Sequence, residues 1–491
     1  MDEKVYVLFP IDLYNDISNL KYAKVFLVEE TIYFNRSSKK LGSLKFNILK
    51  PVYHRATMRA YYDKLVSKNV NCTYVGINDD WINIVKKYID KHHAELYFFD
   101  PVDRNLELKI NKIFKNYAFI DTPRFILSND DIQDYEGVLK QTSFYSWLRK
   151  KYEILMEGGK PIGGKLTYDT ENRKRPYNGI EEDIPEEKNY DGNKYIKEAY
   201  NYIKKNIPVN DLFIWENDID KLELKFPIDT KGAKKQLEHF IKYKFDMFGD
   251  YQDVFLKDSD NSFIFHSGIS PMLNIGLITP IEVIDKIIQV YNLSKNKKNI
   301  LHNVEGFIRQ ILGWREFCRF TYKLHSDKYL NKNYFKSTKS LDETWYNGTT
   351  NILPVDHCIE KAFRFGYLHH IERLMVMANY MTISNINPKD MYKWFMEFSL
   401  DSYDWVMEYN IYCMGSYADG GHFTTKPYIS STNYIFKMSN YKKQESDDWI
   451  DIWDLLFWKF IDKNKQKISK IGRMSQLIKY SKNAITKINN Q

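Results

Sequence analysis

Short apolar runs separated by helical patterns organise the first quarter of the chain. The runs are Val5–Phe9, Val25–Glu29, Thr73–Ile77, Glu95–Phe99 and Tyr117–Ile120, with helical periodicity over Arg55–Val66 and Asp80–Lys91. Strands alternating with helices predict βαβ units on a parallel sheet, an α/β domain over residues 1–125. Ligands on such sheets sit at the carboxyl ends of strands, here Phe9-Pro10, Glu29-Glu30 and Asp100-Pro101. No G-x-G-x-x-G follows the first run, so the dinucleotide-binding fingerprint is absent.

From 126 to 190 the pattern turns polar and irregular, with GGKPIGGK at 158–165 and DTENRKRP at 169–176. Gly-Gly pairs and prolines mark turns, and the stretch reads as a connector. It lacks the G-x-x-x-x-G-K-[ST] spacing of a P-loop. From 191 to 491 the periodicity is helical, over Lys194–Lys205, Ala233–Asp246, Pro280–Tyr291, Val304–Lys323, Val355–Met381, Pro388–Phe398 and Asp448–Lys463. This half predicts one large all-α domain.

Two helical stretches set charged or imidazole groups among apolar ones: VEGFIRQILGWREFCRFT at 304–321 and GYLHHIERLMVM at 366–377. Ile359, Ala362, Phe363, Gly366, His370, Leu374 and Met377 follow helical spacing, which turns His370 inward. A mid-helix glycine costs about 1 kcal/mol against Ala, so Gly366 implies a close neighbour there. Glu305 and Arg309, four apart, can pair on one helix face. Arg309 is flanked by apolar residues, and a buried arginine calls for a buried anion. Ser267, Gly268 and Ser270 precede a helical pattern, where a plain N-cap and a pyrophosphate cradle are both open readings. Asp401–Asp404 and YADGGHFTTKPYISSTNY at 417–434 form polar loops between helices.

Composition sharpens this picture. An aromatic fraction of 16% suits flat ligands and electron transfer, and a net charge of +8 favours a polyanionic partner. Cys72, Cys318, Cys358 and Cys413 form no C-x-x-C pair, against a disulfide framework or a zinc ribbon. MDEKVYVLFP lacks a basic segment followed by a long apolar run, and no apolar run reaches the roughly 20 residues of a membrane span. A monomer in the cytoplasm or nucleus, with no membrane contact, is expected.

Taken together, VEGFIRQILGWREF, GYLHHIERLMV, DSYDWVM, SYADGGHFTTKPYISSTNYIFKMSNY, KPIGGKLTYDTENRK, LVEETIYF and HRATM resemble the cryptochrome/photolyase family over nearly the whole chain and in the expected order. The branch is that of prokaryotic (6-4) photolyases, or iron–sulfur bacterial cryptochromes and photolyases. The resemblance implies an N-terminal antenna domain, a helical domain holding FAD, and light-driven repair of UV-damaged DNA by electron injection. It implies a flavin pocket lined by Ser267, Ser270, Arg309, Trp314, Arg315, Asp401 and Asp404. His369 and His370 match the histidines beside the lesion pocket, with Glu305 close by. A (6-4) lesion needs a proton along with the electron, and an imidazole can supply it. Trp394 falls at the electron-relay position, with Trp345 or Tyr346 more distal. A 6,7-dimethyl-8-ribityllumazine or another antenna chromophore would meet Phe9, Pro10, Glu29, Glu30, Tyr33 and His54.

The chain also departs from that branch. Cluster-bearing relatives carry cysteines near Pro354 and just after the segment matching Met438–Tyr441, where this chain reads MSNYKKQESDDW. No iron–sulfur cluster, and no other metal, is therefore expected. Trp405-Val406-Met407 stands where some relatives place an acidic residue toward the flavin, and Phe395 stands where relatives often carry Tyr. The leading expectation is a (6-4) photolyase. The alternatives are a blue-light receptor without repair and a cyclobutane dimer photolyase.

Overall fold

The computed structural model describes residues 3–38, 41–188, 190, 194–210, 222, 224–257, 263–443 and 448–489. All five apolar runs of the first quarter become strands: β1 (Lys4–Leu8), β2 (Lys24–Val28), β3 (Asn71–Val75), β4 (Glu95–Phe99) and β5 (Ala118–Ile120). They form one parallel sheet in the order β3-β2-β1-β4-β5. Val5, Val7, Leu8, Val25, Leu27 and Val28 are wholly enclosed, the pattern of a sheet covered on both faces. Helices Leu49–Ser67, Trp81–His92 and Arg104–Ile113 make the crossovers. Asp80 caps the second by accepting from the Asn83 N–H at 3.1 Å. Asp103 caps the third through the Asn105 and Leu106 N–H groups. The order reverses beside β1, which puts the ligand-bearing crevice at the carboxyl ends of β1 and β4.

The stretch 126–190 holds more order than its polarity implies. Phe144, Tyr145 and Leu148 recur at helical spacing and bury one face of a helix, Gln141–Lys151. Gly158 (φ 54°) and Gly159 (φ 76°) turn a short hairpin between Met156–Glu157 and Lys160–Pro161. Two left-handed residues in sequence suit the right-handed twist of the flanking strands.

The remainder is helical, with two corrections to the expected pattern. The helix expected over Val304–Lys323 is three pieces: Lys297–Arg309, a π-helical turn Gln310–Arg315, and Glu316–His325. The helix expected over Val355–Met381 breaks at Gly366. Leu353–Phe365 ends there with Gly366 at φ 63°, and helix resumes at His370, passing through a second π turn, Glu372–Ala378. A Cβ on Gly366 would lie 1.9 Å from Leu400 Cδ1, and the Gly366 carbonyl accepts from the Leu400 N–H at 3.0 Å. Gly366 is therefore a left-handed helix stop against a neighbouring loop, and the stripe that turned His370 inward is not continuous. A third π turn, Tyr409–Gly415, follows Asp404–Glu408.

The α/β and helical parts meet through polar contacts. Arg36 pairs with Asp103 at 2.8 Å and with Asp404, and Arg104 pairs with Glu408 at 3.2 Å. Backbone bonds cross the same seam, Asn47 N–H to the Glu397 carbonyl at 2.8 Å and Leu13 N–H to the Ile275 carbonyl at 2.9 Å. Among the described residues no helix is long and apolar enough to cross a membrane.

Candidate functional site

The densest polar network of the helical part centres on Asp401. Arg373 holds it with two contacts, 2.9 and 3.1 Å, and Ser270 Oγ donates to it at 2.6 Å. Ser399 Oγ donates as well, and Asn274 Nδ2 bonds the Asp401 carbonyl at 2.9 Å. Burial alone would raise the Asp401 carboxyl. Arg373 and the hydroxyl donors outweigh it and hold the group below its ordinary value, so it stays ionised. Arg373 also donates to the Leu368 carbonyl at 2.6 Å, which ties the network to the chain just before the histidine pair.

Arg315 extends this network. It donates to Asn274 Oδ1, to the Arg124 carbonyl at 3.2 Å and to the Leu273 carbonyl at 3.3 Å. Its guanidinium lies against Phe125 and Trp405, 4.8 and 4.7 Å from their ring centres, and the two rings meet each other edge to face at 4.9 Å. Among the described residues it has no carboxylate in ion-pair contact, and burial presses its pKa down to about 9. The guanidinium still carries its charge at neutral pH. Arg315 Nε and Trp405 Nε1 are buried donors without a partner. A cation lacking its anion, two orphaned donors and flanking aromatic faces fit an anionic, planar, acceptor-rich cofactor such as FAD.

Ser270, Arg315 and Asp401 thus lie around one centre. Ser267 lies three residues before Ser270, and its carbonyl accepts from Gln236 at 3.2 Å, outside that network. Ser270 opens a helix of only six residues, Ser270–Ile275, and uses its hydroxyl on Asp401 rather than as a cap. Asp404 faces elsewhere: Arg36 and Tyr392 take up its carboxylate at the seam between the two parts. Glu305 and Arg309 do form the i,i+4 pair, at 3.2 Å. They are enclosed by residues 126–190, not by the Asp401 network. Glu305 accepts from Tyr145 Oη and the Tyr168 N–H, both at 2.9 Å, and Arg309 reaches Asp169 at 3.2 Å.

The two histidines have different surroundings. His370 is half-buried and meets the edge of Trp314, ring centroids 5.7 Å apart. Burial, then Arg373, then His266 push its pKa down to about 4. His369 is fully buried and stacks on His266, centroids 4.6 Å apart and planes at 16°. Burial, then His266, hold it far below its ordinary value. Neither ring nitrogen of His369 has a hydrogen-bond partner.

The residues expected as an electron relay adjoin one another. Trp394 is fully buried and its Nε1 donates to the Trp345 carbonyl at 2.8 Å. Tyr346 donates to Glu397 at 3.0 Å, and Phe395 packs against Trp394 at 5.1 Å.

At the sheet end, Glu29 and Glu30 are satisfied by the protein itself. Glu29 accepts from Arg55 at 2.5 Å, from Tyr74 and from the Ile77 N–H, and Glu30 from Trp81 and Lys109, both at 2.8 Å. Phe9 and Pro10 are buried, Phe9 beside Trp81 and Phe98. Tyr33 and His54 pack edge to face at 5.8 Å, and Tyr403 from the helical part closes on His54 at 6.0 Å. Tyr33 Oη and His54 Nδ1 are buried and unpartnered, and burial pushes His54 down to about 3. Of the six antenna candidates, these two alone carry buried side-chain polar atoms without a hydrogen-bond partner.

No three His, Cys, Asp or Glu side chains converge as metal ligands among the described residues. Residues 444–447 of the expected cluster segment lie outside those residues. Sequence reasoning missed Arg373, Asn274 and His266 as site members. It also missed the π turns, each of which contributes to the site: Trp314 and Arg315 from the first, Arg373 from the second, and Met414, whose Sδ accepts from Trp314 Nε1 at 3.4 Å, from the third. Such turns gather at functional sites because one extra residue re-aims the side chains around it.

The comparisons with known proteins bear on the family and the fold. Residues 7–210 match the family model described as deoxyribodipyrimidine photo-lyase-related protein. A (6-4) photolyase of Agrobacterium fabrum is 32% identical over 368 residues, 72% of this chain and 69% of that protein. The fold is similar to a bacterial class III photolyase from Agrobacterium tumefaciens (TM-score 0.55, 15% identity, covering 100% of this chain and 98% of that one). It is also similar to a cryptochrome from Synechocystis (TM-score 0.53, 12% identity, covering 100% and 94%). With a parallel α/β part, a helical part and this similarity to the A. fabrum protein over most of its length, the chain belongs to the photolyase/cryptochrome family.

Proposed function

We propose that this protein is a flavin-dependent, light-driven DNA photolyase acting on (6-4) pyrimidine photoproducts. The reading rests on one observation above others: a half-buried His370 against the edge of Trp314, joined to the Arg373–Asp401 network through Leu368–Arg373. FAD, when bound, supplies the excited electron. Arg315 holds its anionic part, Asp401 fixes Arg373 and Ser270 around it, and Trp405 offers an indole N–H donor. Trp314 presents an aromatic edge on which an unstacked base can rest once the lesion leaves the helix. His370 is neutral while the site is empty, and the negative charge that electron transfer puts on the lesion raises its proton affinity, so that a proton can pass through it to the lesion oxygen. The excess of basic residues, +8 overall, serves phosphate contacts. Trp394 and Trp345 form the route by which the flavin is reduced, and Tyr33 and His54 hold an antenna chromophore.

The test is blue-light illumination of reduced protein with oligonucleotides carrying either lesion. Loss of the (6-4) product supports the reading. Loss of the cyclobutane dimer alone reassigns the substrate, and loss of neither makes the protein a receptor. The similarity of the A. fabrum relative supports the first outcome.

A further inference from the structure

A cavity of about 230 Å³ opens on the far side of His369. Exposed Glu360 stands at its mouth, His357 and Tyr441 join across its wall at 2.7 Å, and Lys361 and Glu372 line it. Lys361 Nζ lies 2.6 Å from Glu372 Oε1. The other Glu372 oxygen turns inward. It accepts the His369 backbone N–H at 3.1 Å and lies 3.6 Å from His369 Nε2. One carboxylate thus touches a solvent-open cavity on one side and a sealed imidazole on the other. Neither ring nitrogen of His369 has a hydrogen-bond partner, and this carboxylate is the charged group within 4 Å of Nε2.

We propose that the cavity is the solvent-side inlet for protons to the buried histidines, with Glu372 as the positioning residue that sets the proton content of His369. A proton from cavity water is taken up by the Glu372 carboxylate and passed to His369 Nε2. The carboxylate returns to its charged form, so the imidazole gains one proton from solvent. A small rotation of the carboxylate closes the 3.6 Å gap to hydrogen-bond distance. The charged and titratable groups facing His369 are His266 from the segment before Ser267, Lys361 from the preceding helix, and His370, Glu372 and Arg373 from its own. Glu372 alone among them favours the protonated ring. The use of this inlet, restoring the proton spent on each lesion, rests on the repair reading, whereas its existence does not.

The experiment is ¹⁵N NMR of histidine-labelled, flavin-loaded protein in the dark, with the His369 signal assigned by its loss in His369→Asn. Glu372→Gln keeps the shape and removes the charge, and should lower the imidazolium-to-neutral ratio of His369 at least about tenfold, one pKa unit. Lys361→Gln removes the opposing cation and should raise that ratio. A merely structural pair would move both variants the same way or neither, and either result overturns the proposal. Under repeated flashes, Glu372→Gln should depress the repair yield from the first flash, and more steeply on later ones. Opposed NMR shifts in a protein that repairs nothing leave the inlet standing and remove only its use. Repair without opposed shifts overturns the inlet and leaves the photolyase reading untouched.

Discussion

Trp314 and His370 meet edge to face at 65°, one from a π turn and the other from the residue where helix resumes after Gly366. The contact holds the imidazole beside an aromatic surface without burying it fully. His370→Ala should cut (6-4) repair by about 10²–10⁴, the usual worth of a positioned acid, while flavin absorbance stays intact. Repair persisting at the parental rate would remove His370 from the acid role.

Asp401→Asn should empty the flavin site. It leaves the Arg373 guanidinium buried without its counter-charge, a loss of about 3–5 kcal/mol for a broken buried pair. The ratio of flavin to protein absorbance and the thermal midpoint both report it, and both should fall. Ser270→Ala removes one neutral donor to the same carboxylate and should cost about 1.5–3 kcal/mol at most.

Trp394→Phe should slow blue-light reduction of bound flavin by an external thiol while leaving repair by chemically reduced protein unchanged. The indole is fully buried and bonded to Trp345, so the substitution also loses that 2.8 Å bond. Following the flavin band under illumination separates the two effects, since chemically reduced protein bypasses the relay.

Arg36→Met should loosen the α/β part from the helical part. Asp404 and Asp103 would both remain buried without the shared cation, again at about 3–5 kcal/mol. Calorimetry should then show two transitions where the parent shows one.

Stability should fall as pH drops below neutrality. His54, His266 and His370 are held near 3, 4 and 4 by burial, below the unfolded value of 6.5. Between those limits the unfolded chain binds more protons, so unfolding free energy decreases with falling pH. The stabilisation is complete above pH 6.5 and is lost as pH falls through 4, by at most about 1.4 kcal/mol per unit for each group. Denaturant midpoints from pH 7.5 to 4.5 check the sign.

The sheet was legible because its strands are continuous apolar runs, a signal that depends on burial on both faces and nothing else. The helices were legible in extent, Pro388–Phe398 and Asp448–Lys463 to the residue, because their apolar spacing is uninterrupted. Gly366 was not, since one glycine reads alike in mid-helix and at a stop, and only Leu400 decides between them. Asp404 and Glu305 matched family motifs, but their partners, Arg36 and Tyr168, come from distant stretches of the chain. Arg373 was visible beside the histidines but had no partner in sequence. Its role rests on Asp401, which lies in the turn between two other helices.

The three π turns carry a further consequence. Each holds one residue more than α-helix geometry accommodates, so the turn is a stored insertion. Deleting a single residue within Gln310–Arg315 would let the segment tighten to an α-helix, keeping the helices on either side in register and re-aiming the side chains inside the turn. Arg315 would swing away from Phe125 and Trp405, although every remaining side chain was kept. At these three places the spacing of the chain is as much a part of the site as the identity of any residue.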